Sequence, residues 1–129
     1  MMNMALQSTI RGQISNNEPM RKHCSWRTGG KAELYFEPAD KQDLVLFLNE
    51  TSKDIPLTWI GLGSNLLVRD GGVKGIVIST LGKLNKLSML ENGCVYAESG
   101  VTSAKLARFC QQHNLDGADF MAGISGTVG

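Results

Sequence analysis

Gly61-Leu62-Gly63-Ser64-Asn65-Leu66-Leu67-Val68-Arg69-Asp70-Gly71-Gly72 decides how this chain is read. It follows a short apolar stretch, Leu57 to Ile60, that reads as a buried strand. Two glycines then free the backbone, and two small polar residues come directly after them. Glycine takes positive φ readily and lets a ligand approach the main chain with no Cβ in the way. Successive backbone N–H groups in such a turn form a concave anion site that needs no charged side chain. The chemistry this points to is pyrophosphate binding by main chain.

Two familiar phosphate loops are excluded by the same residues. The loop of nucleoside triphosphatases ends in Gly-Lys-Ser/Thr, and nothing of that kind follows Gly63. The dinucleotide fingerprint needs a third glycine and then a helix. Here Leu66 stands in the third glycine's place, and Arg69-Asp70-Gly71-Gly72 breaks a helix before it starts. On spacing alone a tight turn after a strand is the simpler reading, because short glycine motifs are common.

The rest of the chain orders itself around this run. Met4 to Ile10 can form a helical turn or two, and Arg11 to Lys22 is polar and extended. Ala32 to Phe36 alternates and stops at Pro38, as a short strand does. Asp40 is an N-cap for a helix to about Glu50, with Leu44, Phe47 and Leu48 on one face. Gly75 to Ser79 reads as a buried strand, and Leu84–Leu90 and Cys94–Glu98 flank the turn signal Asn92-Gly93. Thr102 or Ser103 caps a helix from about Ala104 to His113, ended by Asn114 and Gly117. The order predicts one α+β (mixed α/β) domain without internal repeats.

Composition bounds the function classes. At 129 residues the chain suffices for one domain with a core and is short for two. A net charge of +1 gives no case for nucleic acid or an anionic membrane as partner. No apolar run reaches the length of a membrane span, and Met1 to Pro19 lacks the apolar core of a signal peptide, so a cytoplasmic protein is expected. Cys24, Cys94 and Cys110 are odd in number and far apart, which predicts buried or half-buried free thiols rather than a disulfide framework or a metal site. His23 is no persuasive catalyst. His113 falls where a helix ends, a favourable place for a partly positive ring.

Three stretches in order, Asn17-Glu18-Pro19-Met20 with His23-Cys24-Ser25-Trp26-Arg27-Thr28-Gly29-Gly30, then Gly61 to Gly72, then Gly123-Ile124-Ser125-Gly126-Thr127-Val128-Gly129, resemble a known family. It is the UDP-N-acetylenolpyruvoylglucosamine reductase (MurB) family, flavoenzymes of bacterial peptidoglycan precursor synthesis. The resemblance covers Asn17 to the end and replaces the simple-turn reading. It implies the p-cresol-methylhydroxylase-type FAD-binding fold, with residues up to about Thr80 in the first lobe and the chain truncated within the second. Residues 1–22 would be an N-terminal extension, and 23–129 an incomplete FAD-binding domain without the family's substrate-binding domain. Because the chain stops inside the second glycine motif, it is expected to be a piece of a longer protein.

The resemblance also assigns roles. Gly61, Leu62, Gly63, Ser64 and Asn65 would bind the FAD pyrophosphate, and Gly123, Ile124, Gly126 and Thr127 would lie along the flavin and its ribityl or phosphate portion. Ser125 replaces the family's usual proline, which leaves that loop less preorganised. Arg27 is a weaker candidate for the flavin region, and Arg69 with Asp70 is expected as a turn-stabilising pair. NADPH would be the reductant and UDP-N-acetylglucosamine enolpyruvate the substrate. The family's catalytic serine, glutamate and substrate-binding arginine fall beyond Gly129, so no catalytic residue and no metal ligand is assigned, and the chain alone is expected to be inactive. A non-catalytic flavin-binding or interaction module of the same fold is the alternative.

Overall fold

The computed structural model describes residues 9–129. Its centre is a four-stranded sheet built from β1 (Gln13–Pro19), β2 (Lys31–Glu37), β3 (Leu57–Ile60) and β4 (Val73–Ser79), in the order β1-β2-β4-β3. β1 runs antiparallel to β2, whereas β2 and β3 both run parallel to β4. Helix α1 (Lys41–Glu50) joins β2 to β3; beyond the sheet come a small hairpin, β5 (Leu87–Met89) and β6 (Val95–Ala97), and helix α2 (Ser103–Gln112).

Each face of the sheet carries its own core because β4 is buried on both sides. Ile76 and Ile78 meet Phe36, Leu44, Phe47 and Ile10 under α1. The Phe36 and Phe47 rings stack with centroids 4.0 Å apart. Val77 points the other way, to Met20, Ala32, Tyr35, Ile60 and Val68. That second core exists because parallel neighbours need a crossover. Between β3 and β4 the crossover is the glycine run itself, whose Leu66 and Val68 pack against the face opposite α1.

α1 starts where its cap predicts. The Asp40 carboxylate accepts from the Asp43 N–H at 2.9 Å. Arg11 binds both Asp40 oxygens, at 2.7 and 2.6 Å, and this hydrogen bond holds the Asp40 carboxyl below its ordinary pKa. At the far end Thr51 Oγ1 donates to the Phe47 carbonyl at 2.7 Å. Helix α2 is capped by Thr102, which accepts from the Lys105 N–H, and the chain leaves it through Asn114 at φ +54°. His113 closes its last turn, with Nδ1 2.8 Å from the Phe109 carbonyl.

Several expectations shift. The strand expected over Gly75–Ser79 begins at Val73, since Ala32 pairs with Val73. The hairpin strands contract to three residues each, although the Asn92-Gly93 turn forms, with Gly93 at φ +80°. The polar stretch Arg11–Lys22 is extended as expected only as far as Pro19, since Met20–Lys22 form a 3-10 turn, and it is no mere arm. Gln13–Pro19 is the outer strand, and Met20 is fully buried in the second core. The helical turn expected over Met4–Ile10 lies outside the described residues except for Thr9 and Ile10. All three cysteines are free, but Cys94 is exposed where burial or half-burial was expected, because it sits in the hairpin turn. Among the described residues no helix is long and apolar enough to cross a membrane, and no metal-binding cluster of His, Cys, Asp or Glu forms.

Candidate functional site

The two glycine motifs, more than fifty residues apart, meet at one place. The isolated bridge between Thr102 and Thr127, the Ser103 N–H on the Gly126 carbonyl at 3.0 Å and the Val128 N–H on the Val101 carbonyl at 2.8 Å tie the second loop to the start of α2. This brings Thr127 against Gly61 so closely that a Cβ on Gly61 would collide with Thr127 Oγ1. Between them lies a cleft of about 320 Å³, lined by Trp59 to Leu66 and by Ser125, Gly126, Thr127 and Gly129.

The cleft suits an anion. None of its lining side chains is acidic, and Ser64, Asn65, Ser125 and Thr127 supply hydroxyl or amide donors. No backbone N–H from Leu62 to Asn65 donates a hydrogen bond to another described residue, so four main-chain donors stay available. Gly63 stands at φ +75° and Gly126 at φ +139°, conformations that suit glycine. A pyrophosphate fits such a cradle: neutral donors, small residues and room for close approach.

Of the residues expected at the site, the structure gathers Gly61, Leu62, Gly63, Ser64, Asn65, Gly126 and Thr127 around this cleft. Gly123 and Ile124 stand outside it, at the end of the short 3-10 turn Asp119–Gly123, with Ile124 exposed. Ser125, the residue expected to leave this loop less preorganised, also lines the cleft. Arg27 sits on an adjoining cleft at φ +52°, away from the Ser64–Asn65 side. Arg69 and Asp70, expected as a turn-stabilising pair, form no ion pair with each other. The turn is fastened by backbone, since the Arg69 carbonyl accepts from both Gly30 and Gly72 at 2.9 Å.

Two features were missed by reading the sequence. Trp59, half-exposed, lines the cleft from the edge strand β3; an aromatic residue just before a glycine loop was the available signal. The second is a polar chain formed by Glu18, His23, Tyr35 and Glu37, whose members come from β1, β2 and the turn between them. No motif spacing announces it, because strand register alone brings these residues together.

Burial, aided by the neighbouring carboxylates of Glu37 and Glu18, raises the Tyr35 hydroxyl pKa to about 12, against the partial opposition of Ser79. The folded state therefore keeps a proton that the unfolded chain releases near pH 10. Stability from this group is present below pH 10 and is lost as the pH rises towards 12. An absorbance titration of phenolate should contain one component near pH 12 that disappears in Tyr35→Phe, and alkaline unfolding should begin later in that variant. A wild-type chain whose tyrosines all titrate near pH 10 would contradict the assignment.

Residues 32–129 match the family described as "FAD binding domain". The chain is also similar to proteins named UDP-N-acetylenolpyruvoylglucosamine reductase. One from Nitrosomonas eutropha is 52% identical over 124 residues, which is 93% of this chain and 37% of the relative. Another from Methylococcus capsulatus is 50% identical over 92% of this chain and 39% of its own length. A third from Nitrosococcus oceani is 48% identical over 95% of this chain and 41% of its own. The chain thus spans about two fifths of the length of these curated relatives. With two glycine loops closing on an acid-free cleft and the family match running from β2 to the last residue, the chain belongs to the FAD-binding domain family.

Proposed function

We propose that this chain is the FAD-binding portion of an NADPH-dependent UDP-N-acetylenolpyruvoylglucosamine reductase, which forms UDP-N-acetylmuramate for peptidoglycan synthesis in the cytoplasm. The observation that carries the reading is the convergence of Gly61–Asn65 with Gly126 and Thr127 on one cleft whose main-chain donors are unused. Similarity to reductases of that name over about nine tenths of the chain supports it. The lobe arrangement is taken as that of p-cresol-methylhydroxylase-type flavoproteins. Through that product the protein serves cell-wall biogenesis, and with it cell shape and division.

Each residue has a defined task in this reading. The N–H groups of Leu62 to Asn65, with the Ser64 hydroxyl and Asn65 amide, hold the pyrophosphate. Gly61 gives room for Thr127, and Gly126 and Thr127 carry the ribityl side. Gly123 and Ile124 lie along the flavin. Bound FAD supplies hydride transfer from NADPH to the enolpyruvyl group, chemistry that belongs to the cofactor. The chain's own contribution is binding and orientation; the proton donor and the substrate-binding groups belong to the remainder of the longer protein.

The test uses both forms. The full-length protein should release all its yellow colour on acid precipitation, since no histidine or cysteine sits in either glycine loop to tether it. Beyond the one equivalent that reduces its bound flavin, it should turn NADPH over rapidly only when UDP-N-acetylglucosamine enolpyruvate is present. The 129-residue chain with FAD, NADPH and substrate should consume no more NADPH than free FAD does. A full-length protein without flavin or without this activity overturns the reading. Steady turnover by the short chain would place the chemistry in residues assigned above to the scaffold.

A further inference from the structure

Beside the glycine loop lies a second cleft, of about 330 Å³, that shares Ile60, Gly61 and Leu62 with the first. The part of its wall formed by His23, Tyr35, Glu37 and Ser79 is polar and is used by none of the flavin contacts above. His23 Nε2 lies 2.9 Å from Glu18 Oε1, and Nδ1 lies 3.1 Å from the Tyr35 hydroxyl. The imidazole also stacks on the Tyr35 ring at 4.2 Å, while the Tyr35 hydroxyl reaches Glu37 Oε1 at 3.2 Å. The set is satisfied in both states of the ring. A neutral ring donates to Glu18 and accepts from Tyr35; a cationic ring donates to both, and the Tyr35 O–H turns to Glu37.

What this fastening secures is main chain. The His23 carbonyl occupies the space that a Cβ on residue 63 would need. Two residues on, the Ser25 N–H donates to the Gly63 carbonyl at 3.0 Å. Among the described residues that is the backbone hydrogen bond that reaches Leu62–Asn65 from outside the loop.

We infer that His23 is a positioning residue for the phosphate loop: its ring, latched to β2 through Tyr35 and to β1 through Glu18, sets the turn of residues 23–25 against Gly63 and so holds the N–H groups of Leu62 to Asn65 in place for a pyrophosphate. The inference rests on the flavin reading above. Its consequence is selective, because ligands that carry the pyrophosphate depend on the latch and riboflavin does not.

In the full-length apoprotein, His23→Ala should weaken FAD and ADP about tenfold, as expected for the loss of a hydrogen-bonded support. Riboflavin affinity should stay unchanged. His23→Gln keeps a donor for Glu18 and should recover most of the loss. Tyr35→Phe should weaken FAD in the same direction, and combining it with His23→Ala should add little, because both remove one latch. The contrast between FAD and riboflavin is read in Tyr35→Phe as well, so it stands even where His23→Ala fails to fold. Unchanged FAD affinity in these variants, or equal weakening of FAD and riboflavin, overturns the latch. A wild-type protein that binds no flavin overturns the functional reading instead.

Discussion

Gly63→Val is expected to remove most of the FAD affinity of the full-length protein. At φ +75° a β-branched residue is strained by roughly 1–3 kcal/mol. The new Cβ would also collide with the His23 carbonyl, which is backbone and cannot rotate aside. The loop relieves both only by moving. If two of the four donors from Leu62 to Asn65 lose their aim, at about 1.5 kcal/mol for each charge-assisted bond, affinity falls about a hundredfold. Two controls separate the causes. Gly71→Ala meets nothing within 4 Å and should bind FAD normally. Gly82→Ala stands in open space but at φ +67°, so it should lose some stability and no flavin affinity. Fluorescence titration of the apoproteins with FAD, beside thermal melts, reads all three. Near-normal FAD binding by Gly63→Val would reduce the run to a turn.

Asp43→Ala should produce the largest loss of stability. This carboxylate is 2% exposed, in the first turn of α1. It accepts from the N–H groups of Arg11 at 2.8 Å, Gly12 at 2.8 Å and Ala39 at 2.9 Å. One side chain thus joins the approach to β1, the end of β2 and the helix. Alanine removes the acceptor of three N–H groups, two of them on the exposed residues Arg11 and Ala39, and at about 1–1.5 kcal/mol for each such bond the loss is about 3–4 kcal/mol. That is a large share of the roughly 5–15 kcal/mol that a domain possesses. Asp43→Asn should lie between, since its NH₂ must face at least one of the three N–H groups. Urea unfolding gives both values, and a loss below about 1 kcal/mol for alanine would show that these donors find other partners.

Three of the four strands of the sheet were legible because their signals are local. Pro38 with Asp40 marks the end of one element and the cap of the next, and Leu57–Ile60 has the bounds expected of it, although it is an edge strand with Leu57 and Trp59 exposed rather than the buried strand expected. The first glycine loop was legible for a related reason: a positive φ, as at Gly63, favours glycine whatever lies around it. The strand at Gln13–Pro19 carried no such sign. Its residues are exposed or half-buried without alternation, so no apolar period separates an edge strand from a polar arm. Likewise Asp43 reads as an ordinary acidic residue in a helix's first turn until tertiary structure brings Arg11 and Gly12 to it.

The sequence by itself determined where the backbone turns and where the helices start and stop. These are consequences of φ restrictions, capping and side-chain size over a few neighbouring residues. Only the tertiary structure decided that both loops face one cleft, that Gly61 must be bare because Thr127 lies against it, and that His23 stands behind Gly63. Those facts depend on β4 lying between β2 and β3, and on the bridge from Thr102 to Thr127. Pairing across tens of residues is chosen by the joint burial of both sheet faces, and no short stretch of sequence contains that information.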